Sequence, residues 1–379
     1  EGQFQALAEV WLGEKELSGP EAVEAIYQRL LVGKRSLIIF DNAENAQALA
    51  PYLPRADFKS PLHLLITSRC AQWGGISVVP LGGFSEEEAQ QYVEVHLGQQ
   101  RPEEVRALRE ALGGLPLALS QSVAYMKAEH CTVGEFIKQY ELNRASLLSQ
   151  EVFAGGDVQV RAVGTTLGLS LAQARVRNEL SEKLLGVMGY LSAQGIRLEL
   201  LEKALQEPRE AIKEGLRALV EYSLVEYEIE KGEVEVHRLV QEVMRQRQAQ
   251  RKDRYEYWNR VVKALSQVVV WDNKNLEKTR RSSYAIEHVK QVSELWRRGS
   301  QRGRAHSSRE KEGVVREEGI GGEEAQSGLD REQELALGKL LEVSGWHQEI
   351  MGNYKVNQVF QEQALEIGEK YYGNQIAID

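Results

Sequence analysis

The run Ser36-Leu37-Ile38-Ile39-Phe40-Asp41 constrains this chain more than any other stretch. Four large apolar residues follow one another with no polar alternation. Such a run reads as a strand buried on both faces, which requires a parallel sheet covered by helices. Asn42-Ala43-Glu44-Asn45 then stops it with polar groups at the strand's C-terminal end. In open α/β sheets that edge is where ligands bind. A carboxylate placed there can hold the water shell of a magnesium ion beside nucleotide phosphates. The plainer role of such an acid is to cap the strand.

The flanking segments agree with an α/β start. Residues 3–12 and 20–32 read as amphipathic helices; in the second, Pro20 suits the first turn and Val23, Ile26, Tyr27, Leu30 and Leu31 share a face. A polar helix over 44–50 and a loop bounded by Pro51 and Pro61 lead to a second apolar run, Leu62 to Ile66, which ends in Thr67-Ser68-Arg69. His63, inside that run, is expected to be a satisfied core histidine. Ile76 to Val79 reads as a third strand.

From Ser85 the chain turns helical. Ser85 with Glu88 forms a capping box, opening a helix whose apolar face carries Ala89, Tyr92, Val93 and Leu97. A helix over 102–112 stops at Gly113-Gly114, and Pro116 fits the first turn of the next. After a break at Gly155-Gly156 and further helices, residues 224–229 and 234–236 read as two strands around the turn at Gly232. Helices followed by a hairpin predict a winged-helix arrangement over 156–250, with His237 opening the next helix. Trp258, Trp271 and Trp296 read as packing of a helical layer over 251–298. Residues 299–332 lack an apolar face and read as a disordered linker or insertion. Residues 333–379 return to a helix pair, with Leu335, Leu337, Leu340 and Leu341 in the first helix, a turn at Gly352-Asn353-Tyr354, and Val359, Phe360, Ala364, Leu365 and Ile367 in the second.

Composition excludes several classes. A net charge of −9 argues against a general binder of nucleic acid or of anionic membranes. The cluster Arg245, Arg247, Arg251, Lys252 and Arg254 is interrupted by Asp253 and Glu256 and reads as a solvated helix face. Two distant cysteines, Cys70 and Cys131, fit a reducing cytoplasmic compartment, and no apolar run is long enough to cross a bilayer.

Four stretches, taken together in order, resemble one family: LIIFDNAEN (37–45), LLITSR (64–69), GGLPLAL (113–119) and VHRLVQ (236–241). The chain resembles the NB-ARC type of STAND nucleotide-binding switch proteins over about residues 1–250. Its last forty residues are similar to one tetratricopeptide unit. The resemblance implies a multidomain chain, α/β followed by mostly α. Its parts would be a partial P-loop NTPase sheet (1–84), a helical domain (85–155), a winged helix (156–250), a helical connector (251–298), the linker (299–332) and the repeat pair (333–379).

By matching position, the resemblance implies that Asp41 acts on Mg²⁺ through water and that Arg69 senses the γ-phosphate. Leu115 and Pro116 would meet adenine, and His237 the β-phosphate of ADP. All would surround one purine nucleotide, ADP or ATP with Mg²⁺. Arg238 stands where the family has an acid. Asn42, unlike a second carboxylate, cannot take a proton from an attacking water, so any hydrolysis is expected to be slow. No Gly-x-x-x-x-Gly-Lys-Ser/Thr occurs in these residues; Gly33-Lys34 and Gly338-Lys339 lack its spacing. The expectation is therefore a fragment that lacks its phosphate loop and a strand between those at 62–66 and 76–79, with tight nucleotide binding lost. The implied function is a signalling switch whose repeat region binds a protein partner or drives self-assembly. The alternatives are a DNA-binding regulator acting through the winged helix, and a helical-repeat scaffold without nucleotide.

Overall fold

The computed structural model describes residues 2–14, 17–31, 35–54, 62–68, 70, 73–74, 76–148, 158–270, 272, 274–311, 329–350 and 354–372. It is mostly helical, with a two-stranded parallel sheet and a three-stranded antiparallel one. Two compact units divide the chain, Glu1–Gly82 and Gly83–Asp379.

In the first unit, α1 (Gly2–Leu12) and α2 (Gly19–Leu31) pack through Ala8, Ala22 and Ile26, with Phe4, Leu12, Leu17 and Leu30 around them. The Ser18 amide and hydroxyl both donate to the Glu21 carboxylate at the start of α2 (2.9 and 2.6 Å). β1 (Ser36–Ala43) and β2 (Leu62–Ser68) then pair in parallel, in register from Ser36↔Leu62 to Phe40↔Ile66, with an irregularity before Ala43↔Ser68. Between them lie α3 (Ala46–Leu49), capped by Asn45, and a 3-10 turn (Ala50–Tyr52). Tyr27 of α2 reaches across to donate its hydroxyl to Tyr52 O (2.8 Å).

Partnered residues of parallel strands point to the same side. Ile38, Phe40, Leu64 and Ile66 therefore share one face, and Leu37, Ile39, His63 and Leu65 the other. The Phe40 ring lies 6.3 Å from that of Phe4, so the first face turns to α1. On the second, Leu37, Ile39 and Leu65 are 58%, 57% and 51% exposed. Two-sided burial, expected from the sequence, is thus not realised: the first face is only partly covered, with Leu64 37% exposed, and His63 is exposed rather than in a core. The third strand expected at 76–79 does not form; Val79 is 77% exposed. β-Branched residues settle into a strand when a neighbouring edge takes up their backbone groups, and among the described residues no strand pairs with this run.

The second unit opens with α4 (Glu86–Leu97) and its expected capping box: Ser85 Oγ accepts from Glu88 N, and the Glu88 carboxylate accepts from Ser85 N. Ala89 and Val93 are buried, as their spacing predicts. Then come α5 (Pro102–Ala111), α6 (Pro116–Glu129), α7 (Val133–Leu148) and α8 (Val158–Arg177). α6 has almost no amphipathic direction, because α4, α7 and α8 all pack on it. Two of its buried polar atoms are paired locally: Ser122 Oγ donates to Ala118 O, and Gln121 Oε1 accepts from Thr166 Oγ1 of α8.

Next follow α9 (Leu180–Met188), β3 (Ile196–Arg197), α10 (Leu198–Leu205), α11 (Arg209–Glu221) and the hairpin β4 (Glu226–Glu228) and β5 (Glu233–Glu235). The sheet order is β3-β5-β4. Gly232, at φ 65°, supplies the left-handed residue of the turn. Val234 is buried against the helices between Glu233 and Glu235, the alternation a half-covered strand requires.

The remaining helices are α12 (Arg238–Ala249), α13 (Glu256–Val268), α14 (Leu276–Arg281), α15 (Ile286–Lys311), α16 (Arg331–Ile350) and α17 (Tyr354–Tyr372). α15 continues to Lys311, past residue 299 where the sequence predicts a linker; residues 312–328 of that stretch lie outside the described residues. The final pair does not stand alone. α16 packs on α13 and α15, so one apolar cluster runs from Ala89 to Ile367. Trp258 and Trp296 are buried in this layer as expected, and Trp271 lies outside the described residues. Among the described residues, Cys70 and Cys131 form no disulfide. No helix of the described residues is long and apolar enough to cross a membrane.

Polar contacts lock these layers. Fully buried Glu334 accepts from Trp296 Nε1 (3.3 Å), Lys370 Nζ (2.6 Å) and Tyr371 OH (2.7 Å). His347 Nε2 donates to Thr279 O (2.8 Å), while its Nδ1 accepts from Gln348 Nε2 (3.0 Å). His288 of α15 accepts from Ser192 N at Nδ1 (3.0 Å) and donates from Nε2 to Gly195 O (3.2 Å). Both imidazoles work as neutral donor–acceptor links, and burial lowers both pKa values, that of His288 to about 4.

Two outcomes follow. A histidine with a depressed folded-state pKa contributes stability that is fully present above its unfolded pKa, near 6.5, and is lost as pH falls toward 4. Thermal unfolding followed from pH 7 to 4.5 should show the midpoint dropping in that window, and less steeply in His288→Gln, whose amide keeps a donor and an acceptor. Glu334→Ala, which strips the acceptor from three donors, should cost on the order of 3 kcal/mol in denaturant unfolding.

Candidate functional site

Asp41 sits where parallel strands present their C-terminal ends. The register brings it beside Thr67, whose hydroxyl donates to Asp41 Oδ1 (2.6 Å). That bond orients the carboxylate and occupies one oxygen. The residue is exposed, leaving its second oxygen open to a water or to a hydrated cation. Just beyond, Ser68 Oγ donates to Ala43 O (2.6 Å) and accepts from Cys70 N (2.9 Å), so the strand ends are tied to each other. Arg69, the expected γ-phosphate sensor, lies outside the described residues, as does the Asn42 side chain. Glu44 is described and exposed.

Among the described residues no group of three or more His, Cys, Asp or Glu side chains is placed to hold a metal ion. A magnesium ion at Asp41 fits only as a hydrated ion, with most of its shell supplied by water and by phosphate oxygens.

The stretch around Pro116 is built by close backbone approach. Gly113 and Gly114 have φ 63° and 68°, left-handed values that L side chains resist. Phe84 N donates to Gly114 O (2.8 Å), and Arg109 Nε donates to Phe84 O (2.6 Å). A Cβ on Gly83 would lie 2.7 Å from Gly114 O, so neither glycine can carry a side chain here. The turn delivers Leu115 as the residue preceding α6, with no side chain capping the helix, and Pro116 as its first residue. Pro116 is exposed and Leu115 half-buried, so the proline offers a flat apolar face beside unfilled first-turn N–H groups.

His237 precedes α12 and caps it: Nδ1 accepts from Leu239 N (3.1 Å). This is the plain role a histidine after a hairpin can have. It also fixes the tautomer, because an accepting Nδ1 leaves the proton on Nε2. Desolvation, and then the charge of Arg238, hold its pKa below the usual histidine value. The exposed ring is therefore neutral at pH 7, with one N–H available to an acceptor.

Asp41 belongs to the first unit, and Leu115, Pro116 and His237 to the second. Two concave regions contain none of these residues. One is a groove of about 510 Å³ in the first unit, lined by Phe4, Leu7, Trp11, Leu37 and Ile39. The other, about 380 Å³ in the second, is lined by Tyr92, His96, Lys127, Glu221 and Ser223. Sequence reasoning did not single out Thr67 or Gly83. The Gly82-Gly83 doublet directly before a capping box was the available signal for the latter.

Three similarities accompany this geometry. A family described as a domain of unknown function (DUF7779) matches residues 173–252. The regulatory protein AfsR of Streptomyces coelicolor is 28% identical over 223 residues, covering 57% of this chain and 22% of that protein. A Signal Transduction ATPase with Numerous Domains (STAND) protein with a tetratricopeptide repeat sensor, from Pyrococcus horikoshii, aligns with 93% of this chain and 46% of its own. There the identity is 18% and the TM-score 0.46. The chain thus matches about a fifth of the curated relative's length and less than half of the solved structure's.

Gly83→Ala should lower stability by about 1–3 kcal/mol, because backbone rather than a movable side chain blocks the new methyl. Gly82→Ala is the control: nothing lies within 4 Å of its Cβ position, and its unfolding midpoint should be unchanged.

Proposed function

We propose that this chain is part of a nucleotide-responsive regulatory switch, with its C-terminal helix pair as a protein-interaction region. The observation that carries the reading is Asp41. A carboxylate held by Thr67 at the C-terminal ends of two parallel strands is suited to a hydrated magnesium ion. Within the second unit, the exposed Pro116 at a glycine-built helix start offers an apolar flat contact, and the Nε2 proton of His237 a donor suited to phosphate. The order α9–β3–α10–α11–β4–β5 with its three-stranded sheet supports a winged-helix assignment for the region that ends at His237. Similarity to a protein named as regulatory supports the role.

Nucleotide would act by favouring one of two arrangements of the chain, which requires ADP and ATP to bind them with different affinity. Affinity is expected to be low, since these 379 residues contain no phosphate loop. Turnover is slow in this reading, because no second acid follows Asp41 to accept a proton from water.

The test is thermal unfolding of the full chain with and without millimolar ADP, in magnesium and in EDTA. At about ten times Kd the midpoint should rise by roughly 2–4 °C. Asp41→Ala should remove the magnesium dependence, and His237→Ala should reduce the response to ADP. A midpoint indifferent to ADP and ATP would overturn the reading in favour of a repeat scaffold without nucleotide.

A further inference from the structure

The cavity of about 380 Å³ in the second unit opens between α4, α6 and the end of α11. One end of it is positive. Lys127 Nζ of α6 lies 3.5 Å from His96 Nδ1 of α4. An ammonium can only donate, so Nδ1 accepts and the ring keeps its proton on Nε2. The Tyr92 ring packs edge-on against that imidazole, with centroids 4.6 Å apart. Among the described residues neither Lys127 nor His96 has a carboxylate partner. Two donor side chains, one of them charged, thus converge on one wall without an acid.

The other end carries the opposite imbalance. Glu221, the last residue of α11, lines the cavity and pairs with Arg177 of α8. The same guanidinium donates to Glu129 of α6 (3.2 Å) and to Ala128 O (3.1 Å), and stacks over the Tyr222 ring at 5.0 Å. Tyr222 OH donates to Glu129 as well (2.5 Å), which adds a hydrogen bond but no charge. Two carboxylates therefore share one cation, and one negative charge is left over beside the cavity.

Between these ends Val123, Ala124 and Ala128 of α6 form an apolar floor. The short alanine side chains leave the space above them open. A complementary ligand has an anionic group, a cationic group and an apolar body. A bare anion would leave the surplus at Glu221 unanswered, and a bare cation would meet Lys127. A nucleotide phosphate would bring further negative charge to an end that already has too much.

We propose that this cavity binds a small zwitterion of the amino-acid type with an apolar side chain. Its carboxylate accepts from Lys127 Nζ and His96 Nε2, and its ammonium donates to Glu221. Its side chain lies on the floor of α6 beside the Tyr92 ring. The ligand thereby bridges α4 and α6 to α11. The site lies entirely within the second unit and uses none of the residues assigned to nucleotide.

The experiment titrates the full chain with L-phenylalanine and with L-leucine at pH 7 and constant ionic strength, reading the unfolding midpoint. Two fragments of phenylalanine are the controls: 3-phenylpropanoate lacks the ammonium, and phenethylamine lacks the carboxylate. L-Phenylalanine should raise the midpoint by about 2–4 °C at ten times Kd. Each fragment, bound at least about tenfold more weakly, should shift it by less than about a third as much at the same concentration. Lys127→Met removes an exposed side chain without an ion pair, so the midpoint without ligand should stay unchanged while Kd rises about tenfold or more. In Glu221→Gln the advantage of L-phenylalanine over 3-phenylpropanoate should vanish. Asp41→Ala should retain the response, which separates this site from the nucleotide reading. A midpoint unmoved by both amino acids up to their solubility limits, an equal shift with either fragment, or an undiminished response in Lys127→Met would overturn the assignment.

Discussion

The second unit is set by one hydrogen bond between two glycine-flanked backbones, Phe84 N to Gly114 O. It fixes where α6 begins, and α6 is the helix on which α4, α7 and α8 converge. A helix enclosed on several sides cannot slide to relieve a misplaced start, because half of its fourteen residues are buried. The pair of left-handed glycines and the missing Cβ at Gly83 are the covalent means of holding that start. The same constraint explains why a proline follows: its fixed φ suits a helix entered from so tight a turn, and it gives up only an N–H the helix would not have used.

Much of this was legible in the sequence, and for local reasons. The capping box at Ser85 and Glu88, the helix start at Pro116 and the turn at Gly232 depend on neighbours within four residues, so composition and spacing suffice. Parallel pairing of the runs at 36–40 and 62–66 was also readable, from their unbroken apolar character. What the sequence did not disclose depends on partners elsewhere. Ile76 to Val79 has strand propensity without, among the described residues, a strand to join. His63 is exposed because its face of the sheet is bare. α15 runs on without an apolar face, since a helix already nucleated and packed over Val289, Val292 and Trp296 propagates into polar sequence at little cost. Arg247 looked like its solvated neighbours, yet its Nη1 is buried; only packing shows which arginine of a cluster is drawn inside.

The candidate site divides in the same way. The residue types at Asp41, Pro116 and His237 came from motif order, whereas their chemistry comes from contacts. Thr67 leaves one carboxylate oxygen of Asp41 open, and Leu239 N decides which nitrogen of His237 keeps its proton. Both partners stand inside the quoted motifs, yet no motif says that they bond to these two side chains. The buried acid Glu334 adds a further layer of meaning to the helix pair at the end of the chain. By gathering Trp296, Lys370 and Tyr371 it makes α15, α16 and α17 one cooperative block, so a partner bound there would be felt through α13 as well.

The bare aliphatic side of β1 and β2 also has a consequence in time. On a ribosome, residues 36–68 emerge well before the roughly 300 residues that follow them, which take about 15–60 s to synthesise at ~5–20 residues per second. Throughout that interval Leu37, Ile39 and Leu65 face the solvent on a ribbon whose outer edges, among the described residues, no strand occupies. Neighbouring nascent chains on the same message carry the identical ribbon at high local concentration. Production of this protein should accordingly depend on holdase chaperones and on well-spaced ribosomes more than its ample helical core would suggest.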